Sequence, residues 1–357
     1  MNAGGAETFL MKLYRSIDKE NYQFDFCVFS PKKGYYDDEI SSLGGIIYVC
    51  EAKTKNPIRS YLYLKKIVSI NEYQYVLRIS QNSLSSLDLL AAKMGGAKVL
   101  AFRSSNTGTC GSKKDDIFHA LCKPLAMCIP NVKIAPSKYA AAFMFGNSEV
   151  KKGKVLFLNN GIDIAHFSFN PVIRRRIHEQ YHINDKFVVG HVGRFFAQKN
   201  HRFLVSIFAS LHEKNPNTVL LLVGDGEKRA EIEAYVRELN IHESVIFLGI
   251  IGNVHEVMMA MDLLILPSLF EGMPNVIVEA QASGLPCLIA DTITPEAAIT
   301  GLVDYMSLSD APEKWAEKAI SFQNSTRLDV SNELEKKGYA INAVVRSFKR
   351  NVFKDEC

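Results

Sequence analysis

Two carboxylates eight residues apart, Glu271 and Glu279, have the spacing most suggestive of chemistry in this chain. Glu271 falls in a turn broken by Gly272 and Pro274, and Glu279 lies about a turn into the helix that follows. Pro274 suits a first helical position, and Asn275 beside it is a common helix-start residue. Before them, Leu263–Leu266 is a short, continuous apolar run, as expected of a parallel strand covered on both faces. Open α/β folds bind ligands at the carboxyl end of such strands, so both carboxylates can face one crevice there. Backbone N–H groups at the helix start favour an anion. A carboxylate can accept hydrogen bonds from the two hydroxyls of a diol, so two of them beside an anion site suit a sugar nucleotide. An isolated Glu pair, by contrast, is more often two solvated surface charges.

A second cluster reads Gly190-His191-Val192-Gly193-Arg194-Phe195, then Gln198-Lys199-Asn200-His201, at another strand-to-helix turn. Gly193 lets the backbone approach a ligand closely. Arg194 and Lys199 place two cations at a strand's carboxyl end; alone, such a pair more often serves solubility. Gly224-Asp225-Gly226-Glu227 also follows a strand and opens a helix, but a lone G-x-G is often only a tight turn. His178 and His182 have metal-ligand spacing. No carboxylate or cysteine completes a set, and Arg174, Arg175 and Arg176 would repel a cation, so they read as a solvated helix face. The chain has no G-x-x-x-x-G-K-[ST], no G-x-S-x-G and no D-x-D.

The elements that must position these residues come in two alternating series. Strand-like runs at 23–29, 46–50, 75–80, 98–102, 132–135 and 154–158 are interleaved with helical stretches at 58–70, 84–94, 115–127 and 138–145. A polar, turn-rich passage at 159–170, followed by Pro171, marks a domain junction. Strands then fall at 187–191, 219–223, 245–248, 263–266, 286–290 and 302–308, with helices at 201–214, 229–239, 254–261, 275–282 and 313–322. Such alternation implies βαβ units and parallel sheets. From about Ser331 the chain is amphipathic helix to near Val352. The beginning is unusual: Met1-Asn2-Ala3-Gly4-Gly5 is a loop leading straight into a helix, where a doubly wound domain normally has a strand. Either the true start lies upstream, which this reading favours, or the form lacks a central strand.

At 357 residues the chain exceeds the size at which one core usually stops growing, so two domains are expected. Its 47% apolar and 22% charged composition is that of a soluble globular protein. A formal charge of +4, with no long basic run, is too weak to argue for nucleic acid and is compatible with an anionic membrane surface. The seven scattered cysteines (Cys27, Cys50, Cys110, Cys122, Cys128, Cys287 and Cys357) include no C-x-x-C and read as reduced thiols. There is no secretory signal and no apolar run of roughly 18 residues. The expected location is cytoplasmic, or on a membrane from that side.

The run E-G-M-P-N-V-I-V-E, with L-P-S before it and E-A-Q-A-S-G after it, resembles the E-x7-E motif of retaining glycosyltransferases of family 4, the glycosyl transferases group 1 type. Similarity runs from Gly4-Gly5-Ala6-Glu7 to about Phe322 and is nearest to bacterial enzymes of capsule and exopolysaccharide synthesis. The resemblance implies an α/β fold of GT-B type: two Rossmann-like domains facing across a cleft, with a C-terminal helix crossing back to the first. The boundaries would be 1–160, 161–328 and 329–357. It assigns a nucleotide-sugar donor to the second domain, with Glu279 on the ribose hydroxyls, Glu271 on the donor sugar and Arg194 with Lys199 on the diphosphate. Fixed cations aimed at the leaving diphosphate would stabilise charge that builds in the transition state. Gly193, Gly272, Met273, Pro274, Asn275 and Val276 would complete the donor site. By the same resemblance Gly224 lines the nucleotide pocket, Gly249 approaches the base, and the backbone of Gly4 and Gly5 approaches the donor phosphates. No metal cofactor is expected, since Arg194, Lys199 and the helix start would replace it. The implied acceptor is a lipid-diphosphate-linked sugar at the cytoplasmic membrane face, hence a peripheral membrane contact.

The first domain departs from that pattern. Relatives often carry histidines after two of its strands, where this chain reads Leu77-Arg78-Ile79-Ser80 and Phe102-Arg103-Ser104-Ser105-Asn106. Arg103, Ser104 and Asn106 are then the candidates to bind a polar acceptor; a strand-end loop with solvated side chains explains them equally well. Two alternatives to transfer stay open: a nucleotide-sugar epimerase of the same fold and a catalytically silent partner subunit.

Overall fold

The computed structural model describes residues 1, 4–53, 55–105, 108 and 113–355; Asn106 lies outside the described residues. The chain divides into two compact units, Met1–Gly161 with Gly338–Cys357, and Ile162–Lys337.

In the first unit α1 (Gly5–Ser16) follows Gly4 directly, and the strands form two sheets instead of one. β1 (Phe26–Val28) pairs with β2 (Ile47–Val49). β3 (Tyr75–Ser80), β4 (Val99–Ser104), β5 (Val132–Ala135) and β6 (Leu156–Phe157) make the second sheet in that order, all parallel. The unit's helices are α2 (Asp37–Ser42), α3 (Pro57–Ile70), α4 (Ser86–Met94), α5 (Lys113–Cys128), α6 (Lys138–Phe145) and α7 (Asn147–Lys151). Side-chain caps set two of the starts: Asn56 accepts from the Arg59 N–H ahead of Pro57, and Ser137 accepts from the Ala140 N–H. The short α2 was invisible to periodicity, being too brief to show a face.

The second unit opens with α8 (Ile164–Phe167) and α9 (Pro171–Gln180), then winds one six-stranded parallel sheet. Its elements are β7 (Phe187–Val192), α10 (His201–Lys214), β8 (Thr218–Val223), α11 (Arg229–Glu238), β9 (Val245–Gly249), α12 (Val254–Ala260) and β10 (Leu263–Leu266). They continue with α13 (Asn275–Ala282), β11 (Cys287–Ala290), β12 (Val303–Met306), α14 (Pro312–Ile320) and α15 (Ser331–Lys336). The strand order β12-β11-β10-β7-β8-β9 is that of a doubly wound sheet, reversing direction between β7 and β10. Every residue of β8, β10 and β11 is buried, which is why these strands read as unbroken apolar runs.

The last helix, α16 (Ile341–Phe348), returns to the first unit and shares a core with α1: Phe9, Met11 and Leu13 pack with Val344, Val345 and Phe348. The continuous helix expected from 331 is broken at Gly338, whose φ of +75° is the left-handed region that favours glycine. The expected boundary at 329 therefore moves. Helix α15 belongs to the second unit, with Leu334 fully buried and Lys337 donating to the Ile299 carbonyl.

Among the described residues the cysteines are free thiols, and the Cys27 and Cys50 sulfurs lie 2.9 Å apart. No helix among them is long and apolar enough to cross a membrane.

Candidate active site

The reversal point of the second unit's sheet is where the loops after β7 and β10 must part, and hydrogen bonds tie those two loops together. The Leu269 N–H donates to the Gln198 carbonyl at 2.8 Å, and Gln198 Nε2 donates to the Phe270 carbonyl at 2.9 Å. On its other side, the turn bearing Glu271 forms a parallel bridge with Ile293, while Thr292 Oγ1 donates to the Ser268 carbonyl at 2.7 Å. These clamps bring Lys199 Nζ to 2.7 Å from Glu271 Oε1, with the two side chains only 17% and 11% exposed. Residues 72 positions apart thus form a largely desolvated ion pair at the carboxyl edge of the sheet.

Three of the glycines also sit side by side at this edge. The Gly224 N–H donates to the Gly249 carbonyl at 2.8 Å, and a Cβ on Gly224 would stand 2.1 Å from the Gly193 carbonyl oxygen. Lys199 Cε lies 3.1 Å from where a Gly193 Cβ would be. Gly249, Gly224, Gly193, Lys199 and Glu271 therefore form one continuous rim. Arg194 is exposed at its margin, its guanidinium 4.3 Å from the Phe196 ring centroid. Gly272, Met273, Pro274 and Val276 are buried; Asn275 opens α13, and Glu279 is half-buried farther along it.

The floor beneath Lys199 holds two histidines that sequence reasoning quoted without giving them a role. His191 is fully buried and donates from Nδ1 to the Ile265 carbonyl at 2.9 Å, leaving its Nε2 lone pair under Gly193. His201 stacks on Phe195 at 4.1 Å and sits 4.6 Å from His191. Burial, then the Lys199 charge, lowers the His201 pKa to about 3; burial with His201 and Lys199 pushes His191 well below its ordinary value. Both rings are neutral near pH 7, so they support Lys199 without competing for Glu271. Their signal in the sequence was a pair of histidines flanking a glycine-and-cation turn. Gln198, the tie between loops, lay beside Lys199 and was equally readable.

His178 and His182 do not form the expected solvated face. His178 is buried with Nε2 donating to the Ala260 carbonyl at 2.9 Å, and exposed His182 lies past the end of α9 in a left-handed conformation. Burial lowers the His178 pKa.

In the first unit Gly4 is the N-cap of α1 and Gly5 its first residue. Arg103 and Ser104 end β4, but they are buried, which removes the solvated-loop reading for this pair. Arg103 packs on Phe9 and donates from Nη2 to Asn160 Oδ1.

Residues 186–324, the stretch containing the rim, match the family model for glycosyl transferases group 1. A putative glycosyltransferase, EpsF of Bacillus subtilis (strain 168), is 36% identical over 95% of this chain and 90% of its own. A UDP-Gal:alpha-D-GlcNAc-diphosphoundecaprenol alpha-1,3-galactosyltransferase of Escherichia coli is 26% identical, covering 76% of this chain and 72% of its own. The crystal structure of Anabaena Alr3699/HepE in complex with UDP-glucose aligns with a TM-score of 0.80 at 17% identity, over 99% of this chain and 97% of that one. The architecture is GT-B. Within it, the chain belongs to the glycosyl transferases group 1 family and is a glycosyltransferase.

Proposed function

We propose that this enzyme transfers one hexose, with retention of anomeric configuration, from a nucleotide sugar to a lipid-diphosphate-linked saccharide in exopolysaccharide or capsule synthesis. The observation that carries the reading is the Lys199–Glu271 pair at the sheet's reversal point, beside three contiguous glycines. Glu271 takes the donor sugar's hydroxyls and Glu279 the ribose hydroxyls, each as a two-oxygen acceptor. Arg194 and Lys199 take the diphosphate, where breaking the anomeric C–O bond leaves an extra negative charge. The acceptor hydroxyl bonds to the anomeric carbon on the face the diphosphate leaves, and its proton passes to a leaving phosphate oxygen. Supplied by two side-chain cations, this stabilisation requires no divalent ion. EDTA should leave turnover unchanged.

The nucleotide-sugar donor is supported by the UDP and UDP-glucose named for the HepE structures. The lipid-linked acceptor is supported by the diphosphoundecaprenol substrates named for the Escherichia coli and Campylobacter jejuni relatives. It is also supported by α5, whose Ile117, Phe118, Leu121 and Leu125 are exposed within one helical face that includes Lys114. An apolar helix face with a basic residue suits the headgroup region of an anionic bilayer. The deciding experiment incubates UDP- and GDP-sugars with and without a polyprenyl-diphosphate saccharide and follows nucleotide release and product anomer by NMR. Release that depends on acceptor, with retained configuration, is expected. An epimerised donor in the absence of acceptor supports the epimerase reading, and no release with any pair supports a silent subunit.

A further inference from the structure

In the first unit β1 and β2, three residues each, pair with one another in a sheet separate from the four-stranded one. An isolated two-stranded pairing is marginal in water, so this is where a covalent link would matter. Cys27 lies in the middle of β1 opposite Tyr48, and Cys50 comes two residues after Tyr48, so alternation sends both thiols from one face. The Cys50 N–H donates to the Val28 carbonyl at 2.7 Å, which carries the pairing past the end of β2. Both cysteines are free, and their sulfurs come to 2.9 Å, within about 1 Å of the bonded length.

The surroundings of the two sulfurs favour reaction between them. Lys53 Nζ and Arg78 Nε share the Asp88 carboxylate at 2.6 and 2.9 Å, and both cations lie against the ring of Phe29, two residues beyond Cys27. The hydrogen bond from Cys27 lowers the Cys50 pKa, and Lys53 acts the same way against burial and Asp88. That hydrogen bond, with burial, raises the Cys27 pKa. Cys50 is thus the sulfur that gives up its proton first, held by the Cys27 S–H. Cys27 is half-buried and Cys50 is 2% exposed, so the outer sulfur meets solvent with the inner one behind it. A reachable thiol backed by a base and a second sulfur is the arrangement of a redox-sensitive pair. Cys128, exposed on α5, offers a reference thiol in the same chain.

We propose that Cys27 and Cys50 are a modification site, a dithiol that a peroxide converts reversibly to a disulfide stapling β1 to the end of β2. The Cys27 sulfur attacks a peroxide oxygen: an S–O bond forms, the O–O bond breaks, hydroxide leaves, and the Cys27 proton passes to the Cys50 thiolate. The Cys50 sulfur then attacks that of Cys27. The S–S bond forms, the S–O bond breaks, and the departing hydroxide takes the Cys50 proton and leaves as water. The two sulfurs lose two electrons and the peroxide gains them. To test this, the reduced full chain is treated with hydrogen peroxide, its remaining thiols are alkylated, and its peptides are mapped by mass spectrometry. A Cys27–Cys50 linkage should form at least about tenfold faster than Cys128 loses its alkylatable thiol, and dithiothreitol should reverse it. Linkage should raise the Tm of the first unit's unfolding by roughly 5 °C. Cys27→Ser and Cys50→Ser should each abolish both the linkage and the shift. Oxidation of Cys128 ahead of the pair overturns the proposal, as does conversion of Cys27 to a sulfinic acid with Cys50 still free in the unaltered chain. So does linkage without a rise in Tm, or a rise that persists in both variants. Should the variants fail to fold, the peptide map and Tm of the unaltered chain decide.

Discussion

Each unit withdraws a guanidinium from solvent, fully at Arg103 and partly at Arg327, and the two are treated differently. In the second unit Arg327 donates to the carbonyls of Met258, Met259, Met261 and Ser283, closing the ends of α12 and α13. In the first, Arg103 has one amide acceptor and an aromatic face. Burial lowers both to about 9. The compensation is unequal: the partners of Arg327 are helix-end carbonyls, whereas Arg103, the more deeply buried of the two, is held by one amide oxygen and an aromatic face.

Removing each cation sharpens that contrast. Arg327→Met removes every side-chain donor to the Ser283 carbonyl and leaves the Met259 and Met261 carbonyls to Arg174 alone, and should cost roughly 2–3 kcal/mol in denaturant unfolding. Arg103→Met should change ligand-free stability by less than about 1 kcal/mol, since the buried charge it removes lacks a counterion. Equal losses at both sites would erase the distinction.

Acid separates the units next. The second holds His178, His191, His201, His212 and His255, all lowered mainly by burial, against His119 in the first. The unfolded chain takes up a proton on His201 near its ordinary pKa of 6.5, whereas the folded chain waits until about 3. Its contribution is therefore complete above pH 6.5 and is lost between there and pH 3, at about 1.4 kcal/mol per pH unit. His201→Phe, which keeps an aromatic ring against Phe195, should flatten the pH dependence of the second unit's unfolding over that window. An unchanged slope would mean that His201 is not buried neutral.

The smallest expected effect is on the first unit's surface. Leu121→Asp on α5 should weaken partitioning onto phosphatidylglycerol vesicles by about tenfold, the loss of one buried aliphatic side chain. Turnover of a water-soluble acceptor should not change. Retention of full vesicle binding would leave that face without the proposed partner.

The two units were also unequally legible in the sequence. In the second, buried parallel strands are continuous apolar runs, so Leu263–Leu266 is legible to the residue, and the Gly272–Asn275 breaks do the same for helix Asn275–Ala282. The E-x7-E run and the Arg194–Lys199 turn pointed to one edge of that sheet. What the letters could not show was the direct Lys199–Glu271 pairing, because it depends on Gln198 bridging two loops. In the first unit the three-residue strands β1 and β2 carry little periodicity, and a polar strand end says nothing of depth. Arg103 therefore remained ambiguous until alternation along β4 set it against Phe9.

The most direct test of the donor site is steady-state kinetics and equilibrium binding with the preferred nucleotide sugar for Glu279→Ala and Arg194→Ala, measured separately. Each should lower donor binding or turnover by about 10²–10³ while the protein stays folded. Unchanged values for both would contradict the placement of sugar–diphosphate recognition on this edge of the second unit.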